Sequence, residues 1–127
     1  MTKTIALSLI LFPLTPAVAA NCGDAQTQSE MNRCFYADYN KADKALNSTY
    51  QKVIKLTSGE QRKLLQSAQK KWISYRDADC KFQTYKSSDG TVSPMNSAIC
   101  LQTKTEQRTK ELDSMLKCPE GDVSCPL

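Results

Sequence analysis

Charged residues on the apolar faces of predicted helices are the first candidates for chemistry. At 100° per residue, Arg76 and Asp79 fall on the same side of their helix as Trp72. The same projection places Asp38 and Arg108 on the apolar faces of two other predicted helices. Two carboxylates on inward faces are the residue types that an acid–base hydrolase would use. The pattern therefore poses a choice between catalysis, partner recognition and internal ion pairing.

The balance of these charges favours internal ion pairing. A buried charge is expensive unless it is paired and hydrogen-bonded, and two negative residues here match two positive ones. The sequence has no histidine, which removes the usual zinc ligand, and no group stands out as an activator of water. We interpret Asp38, Arg76, Asp79 and Arg108 as a structural ion network, with Arg76 contacting Asp79. No catalytic residue, metal or cofactor is predicted; a hydrolase and an exposed recognition patch remain alternatives.

Three helices are predicted from apolar periodicity and capping signals. Thr27 with Glu30, and Thr57 with Glu60, have the spacing of capping boxes at two helix starts, and Ser93-Pro94 precedes a third helix. The apolar stripes are Met31, Phe35, Ala42, Ala45, Leu46, Val53 and Leu56; Leu65, Ala68, Trp72 and Tyr75; and Leu101, Thr105, Leu112, Met115 and Leu116. No stretch alternates cleanly as a strand does. We predict a small all-α three-helix bundle with two long antiparallel helices, stapled by disulfides.

The first twenty residues have the arrangement of regions that is typical of a secretory signal peptide. Lys3 precedes an apolar run from Ile5 to Leu14, and small residues follow up to Ala20. The run is too short to span a bilayer, and no later segment resembles a membrane span. We expect a signal peptide at 1–20, a helical domain at 21–117 and a Cys/Pro-rich tail at 118–127. The predicted location is periplasmic or secreted, after cleavage near Ala20.

Six cysteines lie beyond the predicted signal peptide. An even number of cysteines in a short exported chain implies disulfides, and six cysteines allow 15 pairings, among which a sequence alone does not choose. The favoured hypothesis pairs Cys22 with Cys34, Cys80 with Cys100, and Cys118 with Cys125, because each pair closes a local loop.

Composition argues against nucleic-acid and membrane-surface binding. Without Lys3, the chain has 16 basic and 13 acidic residues, and the basic residues are dispersed among the acids. Both functions normally need a concentrated basic face. Neither partner is therefore predicted.

Three stretches together resemble a known family. "CGDAQTQSEMNRCFYADYNKADKALNSTY", "LLQSAQKKWISYRDADC" and "CLQTKTEQRTKEL", in this order, are similar to the LprI-like lysozyme-inhibitor family of exported bacterial envelope proteins. The most specific residues are Trp72 with Tyr75-Arg76-Asp77 and Cys80. The resemblance implies a disulfide-bonded helical domain without catalytic activity, whose protein partner is a lysozyme.

The common lysozymes are strongly basic and this chain is mildly basic, so long-range electrostatic attraction would not bring them together. Inhibition would therefore have to come from local fit. The polar loop "KSSDGTVSP" is the candidate contact region, because a loop could place hydroxyl or ammonium groups against catalytic carboxylates. The candidate partner-binding residues are Tyr85, Lys86, Ser87, Ser88 and Thr91. The alternative function is a non-inhibitory structural or interaction module of the bacterial envelope. The residues specify neither the lysozyme class nor the oligomeric state.

Overall fold

Three α-helices make up most of the chain. The computed structural model describes residues 21–127, and the predicted signal peptide at 1–20 lies outside the described residues. The helices are α1 (Gln28–Lys55), α2 (Gly59–Gln83) and α3 (Ser93–Leu116), and single 3-10 turns cover Cys22–Asp24 and Tyr85–Ser87. No strand occurs within residues 21–127. The predicted all-α class is confirmed.

The helices run up, down and up. At one end of the bundle, Asn32 of α1 bonds to the backbone of Thr91, just before α3 begins. Towards the other end, Leu46 and Val53 of α1 pack with Leu112 of α3, so α1 and α3 are parallel. Helix α2 is antiparallel to both, and α1 with α3 forms the most extensive helix contact.

The densest apolar core lies in the half of the bundle near the α1–α2 turn. Leu46, Val53 and Leu112 are essentially inaccessible to solvent there. Five partly buried side chains surround them: Tyr50, Leu65, Trp72, Met115 and Leu116. Burying a Val or Leu side chain fully contributes roughly 1.5–3 kcal/mol, so this cluster is a main source of stability.

The two predicted capping boxes have different outcomes. At the start of α1, Thr27 Oγ1 accepts a bond from the Glu30 backbone N–H at 3.1 Å, as predicted. The Glu30 carboxylate reaches back to the N–H of Gln26, one residue before the cap, at 2.8 Å. Both interactions satisfy backbone donors that the helix itself leaves free.

The second predicted capping box is wrong. Thr57 is buried, and its hydroxyl donates to the carbonyl of Ile54 at 2.7 Å, so it closes α1 instead of opening α2. Ser58 is the N-cap residue of α2 and makes no side-chain cap bond. Gly59 then turns the chain with φ of +54°, a conformation that glycine adopts without the Cβ strain other residues would have.

Three disulfides join the pairs that the sequence hypothesis favours. Cys22–Cys34 ties the N-terminal segment to α1, and Cys80–Cys100 links α2 to α3 beside their connecting turn. Cys118–Cys125 closes a loop in the tail. The first two bridges lie in the half of the bundle that is poorer in apolar core.

Within residues 21–127, every helix is too polar or too short to cross a lipid bilayer.

Candidate functional site

Arg76 is the charged centre of the bundle. It is only 6% exposed, and its Nε donates to Asp77 Oδ1 at 2.9 Å. Its Nη1 lies 3.3 Å from Thr105 Oγ1 and 3.5 Å from Asp43 Oδ1. The guanidinium therefore bonds to residues of all three helices, with the carboxylates of Asp43 and Asp77 offsetting its charge.

Two aromatic rings shield this guanidinium from water. Its central carbon lies 5.3 Å from the centroid of Trp72 and 5.6 Å from that of Tyr39. A desolvated cation above an aromatic face gains about 2 kcal/mol. Burial raises the pKa of the Tyr39 hydroxyl, and the positive charge of Arg76 opposes that rise. The prediction that Arg76 faces inward agrees with this position.

The predicted contact between Arg76 and Asp79 is wrong. Asp79 Oδ2 instead bonds to Lys104 Nζ at 2.6 Å and to Gln83 Nε2 at 2.7 Å. Arg76 bonds to Asp43 of α1 and Thr105 of α3, whereas Asp79 pairs with Lys104 of α3. Spacing on one helix predicts the direction of a side chain, but the neighbouring helices decide its partner.

The other two members of the predicted ion network also have separate surroundings. Asp38 Oδ2 lies 3.3 Å from Cys22 Sγ, which is a contact without a hydrogen bond, since a disulfide sulfur has no proton. Arg108 faces inward as expected, but its Nε donates to the Gln69 amide oxygen at 3.0 Å and its Nη1 to Glu111 at 2.9 Å. The four predicted residues therefore do not form one network.

The Asp79–Lys104 pair stays charged at neutral pH. The hydrogen bond from Lys104, assisted by one from Gln83, lowers the pKa of Asp79 below its usual range. The hydrogen bond to Asp79 raises the pKa of Lys104, whose ammonium also lies 5.0 Å from the Tyr75 ring centroid. A carboxylate held ionised by a lysine is a poor proton donor, so this geometry favours an ion-pairing role.

Cys22, Cys34 and Asp38 bring three potential ligand atoms within 4.8 Å of one another. Both sulfurs are joined in a disulfide, and metal ligation needs the thiolates. The disulfide therefore accounts for this group without a metal.

The connection between α2 and α3 is a compact turn with internal bonds. Ser87 Oγ donates to the carbonyl of Thr84 at 3.0 Å and accepts from Asn96 Nδ2 at 3.1 Å. Asn32 of α1 donates to the carbonyl of Thr91 at 3.0 Å. Together with the Cys80–Cys100 bridge, these bonds fix the turn to all three helices.

Several side chains of this turn point into solvent. Phe82 is 79% exposed and Tyr85 is 75% exposed, and Lys86, Ser88 and Thr91 are also exposed. We call Phe82, Tyr85, Lys86, Ser88 and Thr91 the turn surface. Ser87, the remaining predicted contact residue, is half-buried, and its hydroxyl is occupied by the internal bonds described above.

Phe82 was not among the predicted contact residues, although the sequence contained a signal for it. Setting Leu65 at 0° places Phe82 near 260°, about 80° away from Trp72 at 340°. Tyr75, near 280°, is also exposed, so its assignment to the apolar stripe is wrong. Phe82 and Tyr85 flank a shallow, mainly apolar hollow together with Lys81 and Lys86.

Comparison with known proteins gives two matches. The family model described as "Lysozyme inhibitor LprI" matches residues 19–112, which include all three helices up to Leu112 and the whole turn surface. An uncharacterized protein of Rhizobium meliloti (strain 1021) is 33% identical over 133 aligned positions, covering 91% of this chain and 96% of the relative. No solved structure matches the chain.

Proposed function

This chain belongs to the LprI lysozyme-inhibitor family, and we propose that it inhibits a lysozyme by forming a stoichiometric complex that protects bacterial peptidoglycan. The family match over residues 19–112 is the observation that carries this proposal. The family is an inhibitor family and not a catalytic one, and its name implies a protein partner.

We also propose where the protein acts. The family and the three disulfides suggest an extracytoplasmic location, because disulfides persist in oxidising compartments. We infer the finer location, periplasmic or secreted after signal cleavage near Ala20, from the composition of residues 1–20.

The turn surface is the proposed contact region. Lysozymes cleave glycosidic bonds with two carboxyl groups that flank the scissile bond in an open cleft. The Lys86 ammonium could pair with such a carboxylate, and the hydroxyls of Tyr85, Ser88 and Thr91 could donate to it. The rings of Phe82 and Tyr85 would supply the apolar area that anchors an interface.

The fixed conformation of the turn supports this proposal. A loop that is ordered only in the complex reduces the affinity, because its conformational freedom is lost on binding. Here the Cys80–Cys100 bridge and the bonds of Ser87 and Asn32 hold the turn in the free protein. The turn surface can therefore bind with little further ordering.

The proposal is tested by titrating the oxidised protein against a panel of lysozymes while peptidoglycan lysis is measured. We expect saturable inhibition of at least one class at a one-to-one ratio. The double substitution Tyr85→Ala/Lys86→Ala should weaken inhibition at least tenfold, as loss of interface anchors does. Lys63→Ala, an exposed lysine near the start of α2, is the matched control and should inhibit normally.

Failure to inhibit any class at a large excess of protein would contradict the proposal. The alternative, a non-inhibitory interaction module of the envelope, would then be favoured. Normal inhibition by the Tyr85→Ala/Lys86→Ala variant would keep the function but move the interface away from the turn surface.

A further inference from the structure

Gln69 is a buried amide with one end bonded and the other end free. The residue is 6% exposed, and its Oε1 accepts from Arg108 Nε at 3.0 Å. An arginine N–H can only donate, so the amide oxygen must face Arg108 and the NH2 group must point elsewhere. Among residues 21–127, no group accepts a hydrogen bond from that NH2. Every fully buried side-chain nitrogen or oxygen in this range has a hydrogen-bond partner, so the NH2 group is not fully buried. The NH2 group therefore reaches solvent.

Gln69 lines a groove between α1 and α2, and because its amide oxygen is turned to Arg108 of α3, the NH2 group is left to face this groove. The groove has a volume of about 400 Å³, within the usual range for small-ligand sites. Its lining is rich in carboxamides, namely Asn47, Gln51, Gln66 and Gln69. Tyr50 and Ile73 add apolar surface, and Lys70 is the one charged residue of the lining.

This set of groups suits an uncharged polar ligand. Each carboxamide both donates and accepts, which matches hydroxyl and acetamido groups, and no carboxylate lines the groove. Tyr50 and Ile73 provide surfaces for the apolar faces of a ring. The lining spans two turns of α2, about 10 Å, which suits a compact ligand better than an extended chain. We propose that the groove between α1 and α2 binds a neutral saccharide.

The groove is separate from the turn surface. Gln69 and Tyr85 are 16 positions apart along α2 and its continuation, a distance of about 24 Å at helical rise. A saccharide in the groove would leave the turn surface free for a protein partner. The saccharide proposal therefore does not depend on lysozyme inhibition, and its test needs no lysozyme.

The test is a titration of the ¹⁵N-labelled oxidised protein with N-acetylglucosamine, followed by NMR. We expect saturable shifts of the side-chain amide signals of Gln51, Gln66 and Gln69. Gln69→Glu keeps an oxygen for Arg108 but removes the NH2 donor, and should weaken binding about tenfold. Gln107→Ala, an exposed glutamine of α3, is the matched control and should bind as the wild type does.

Several outcomes would overturn the proposal. These are the absence of saturable shifts at millimolar sugar, shifts confined to another part of the protein, and unchanged affinity in Gln69→Glu. Saturable binding of trialanine in the groove, without binding of the sugar, would assign the groove to peptides instead. If Gln69→Glu does not fold by circular dichroism, the double variant Gln51→Ala/Gln66→Ala takes its place, with the same expected loss.

Discussion

Two aromatic–cation pairs with the same spacing have opposite surroundings. Trp72 and Arg76 stand four residues apart, as do Phe82 and Lys86. The first pair packs into the bundle, where Tyr39 and the α3 helix cover it. The second pair lies where α2 ends and is exposed on the turn surface. The same four-residue spacing of an aromatic and a basic residue therefore occurs both in a buried structural pair and in a candidate interface. The two pairs differ in whether neighbouring helices cover them.

The two pairs also differ in how their charges are satisfied. Arg76 has two carboxylates, one hydroxyl and two rings around it. No carboxylate of residues 21–127 lies within ion-pairing distance of Lys86. A satisfied buried charge stabilises one arrangement of helices, whereas an unpaired exposed charge is available to a partner.

The largest effect is expected for Arg76→Ala. The substitution removes the bonds to Asp43, Asp77 and Thr105 and leaves a space between two rings. We expect a loss of about 3–4 kcal/mol in the free energy of unfolding, measured by chemical denaturation. Arg33→Ala, an exposed arginine of α1, should change it by less than about 0.5 kcal/mol. Equal stabilities for the two variants would show that Arg76 is not a structural centre.

Removal of the Cys80–Cys100 bridge should affect both stability and inhibition. The bridge closes a separation of 20 residues, which corresponds to about 3 kcal/mol of chain entropy. We expect Cys80→Ala/Cys100→Ala to unfold at a lower denaturant concentration and to inhibit more weakly, because the turn surface becomes less ordered.

The tail bridge provides the control for that variant. Cys118 and Cys125 are separated by 7 residues, so their loss should cost about 2 kcal/mol. Cys118→Ala/Cys125→Ala should leave inhibition unchanged, since the bridge lies outside the turn surface. A similar loss of inhibition in both double variants would argue against a specific role for the Cys80–Cys100 bridge.

Substitutions of Trp72 and of Phe82 should have different effects on the free energy of unfolding. Trp72→Ala removes a partly buried ring from the core and from Arg76, and should cost about 2–3 kcal/mol. Phe82→Ala removes an exposed ring and should change the free energy of unfolding by less than about 0.5 kcal/mol. A large cost for Phe82→Ala would show that its ring is packed in the folded protein.

The smallest effect is expected from the Asp79–Lys104 pair and depends on pH. The lowered pKa of Asp79 means that its contribution is present above the ordinary value of 3.8 and is lost as pH falls through the folded-state pKa. The raised pKa of Lys104 means that its contribution is lost only as pH rises beyond 10.5. The Tm difference between wild type and Asp79→Asn should therefore be steady near neutral pH and smaller near about pH 2. A difference that does not change with acid would contradict this ion pair.

The sequence was sufficient to predict the three helices and the inward direction of the Arg76 side chain. Apolar periodicity and one capping box are local signals, and they identified the three helices and the start of α1. The favoured cysteine pairing agrees with the structure because each pair is close along the chain.

The partners of the charged residues depend on packing between helices, which spacing does not encode. Asp43 and Asp77 lie beside Arg76, while Asp79 faces Lys104 on α3. The groove around Gln69 was not predicted for the same reason, because it depends on how α1 and α2 pack against each other. Thr57 shows a further limit, since its hydroxyl closes the preceding helix while its spacing matches the start of the next.

In this account the exposed pair binds a partner, whereas the buried pair only supports the fold. The most direct test is calorimetric titration of the Phe82→Ala/Lys86→Ala variant against a lysozyme that the wild-type protein inhibits. We predict a wild-type stability and a loss of at least 2 kcal/mol in binding free energy, as for interface anchors. Wild-type affinity in this variant would contradict the account and exclude the turn surface as the interface.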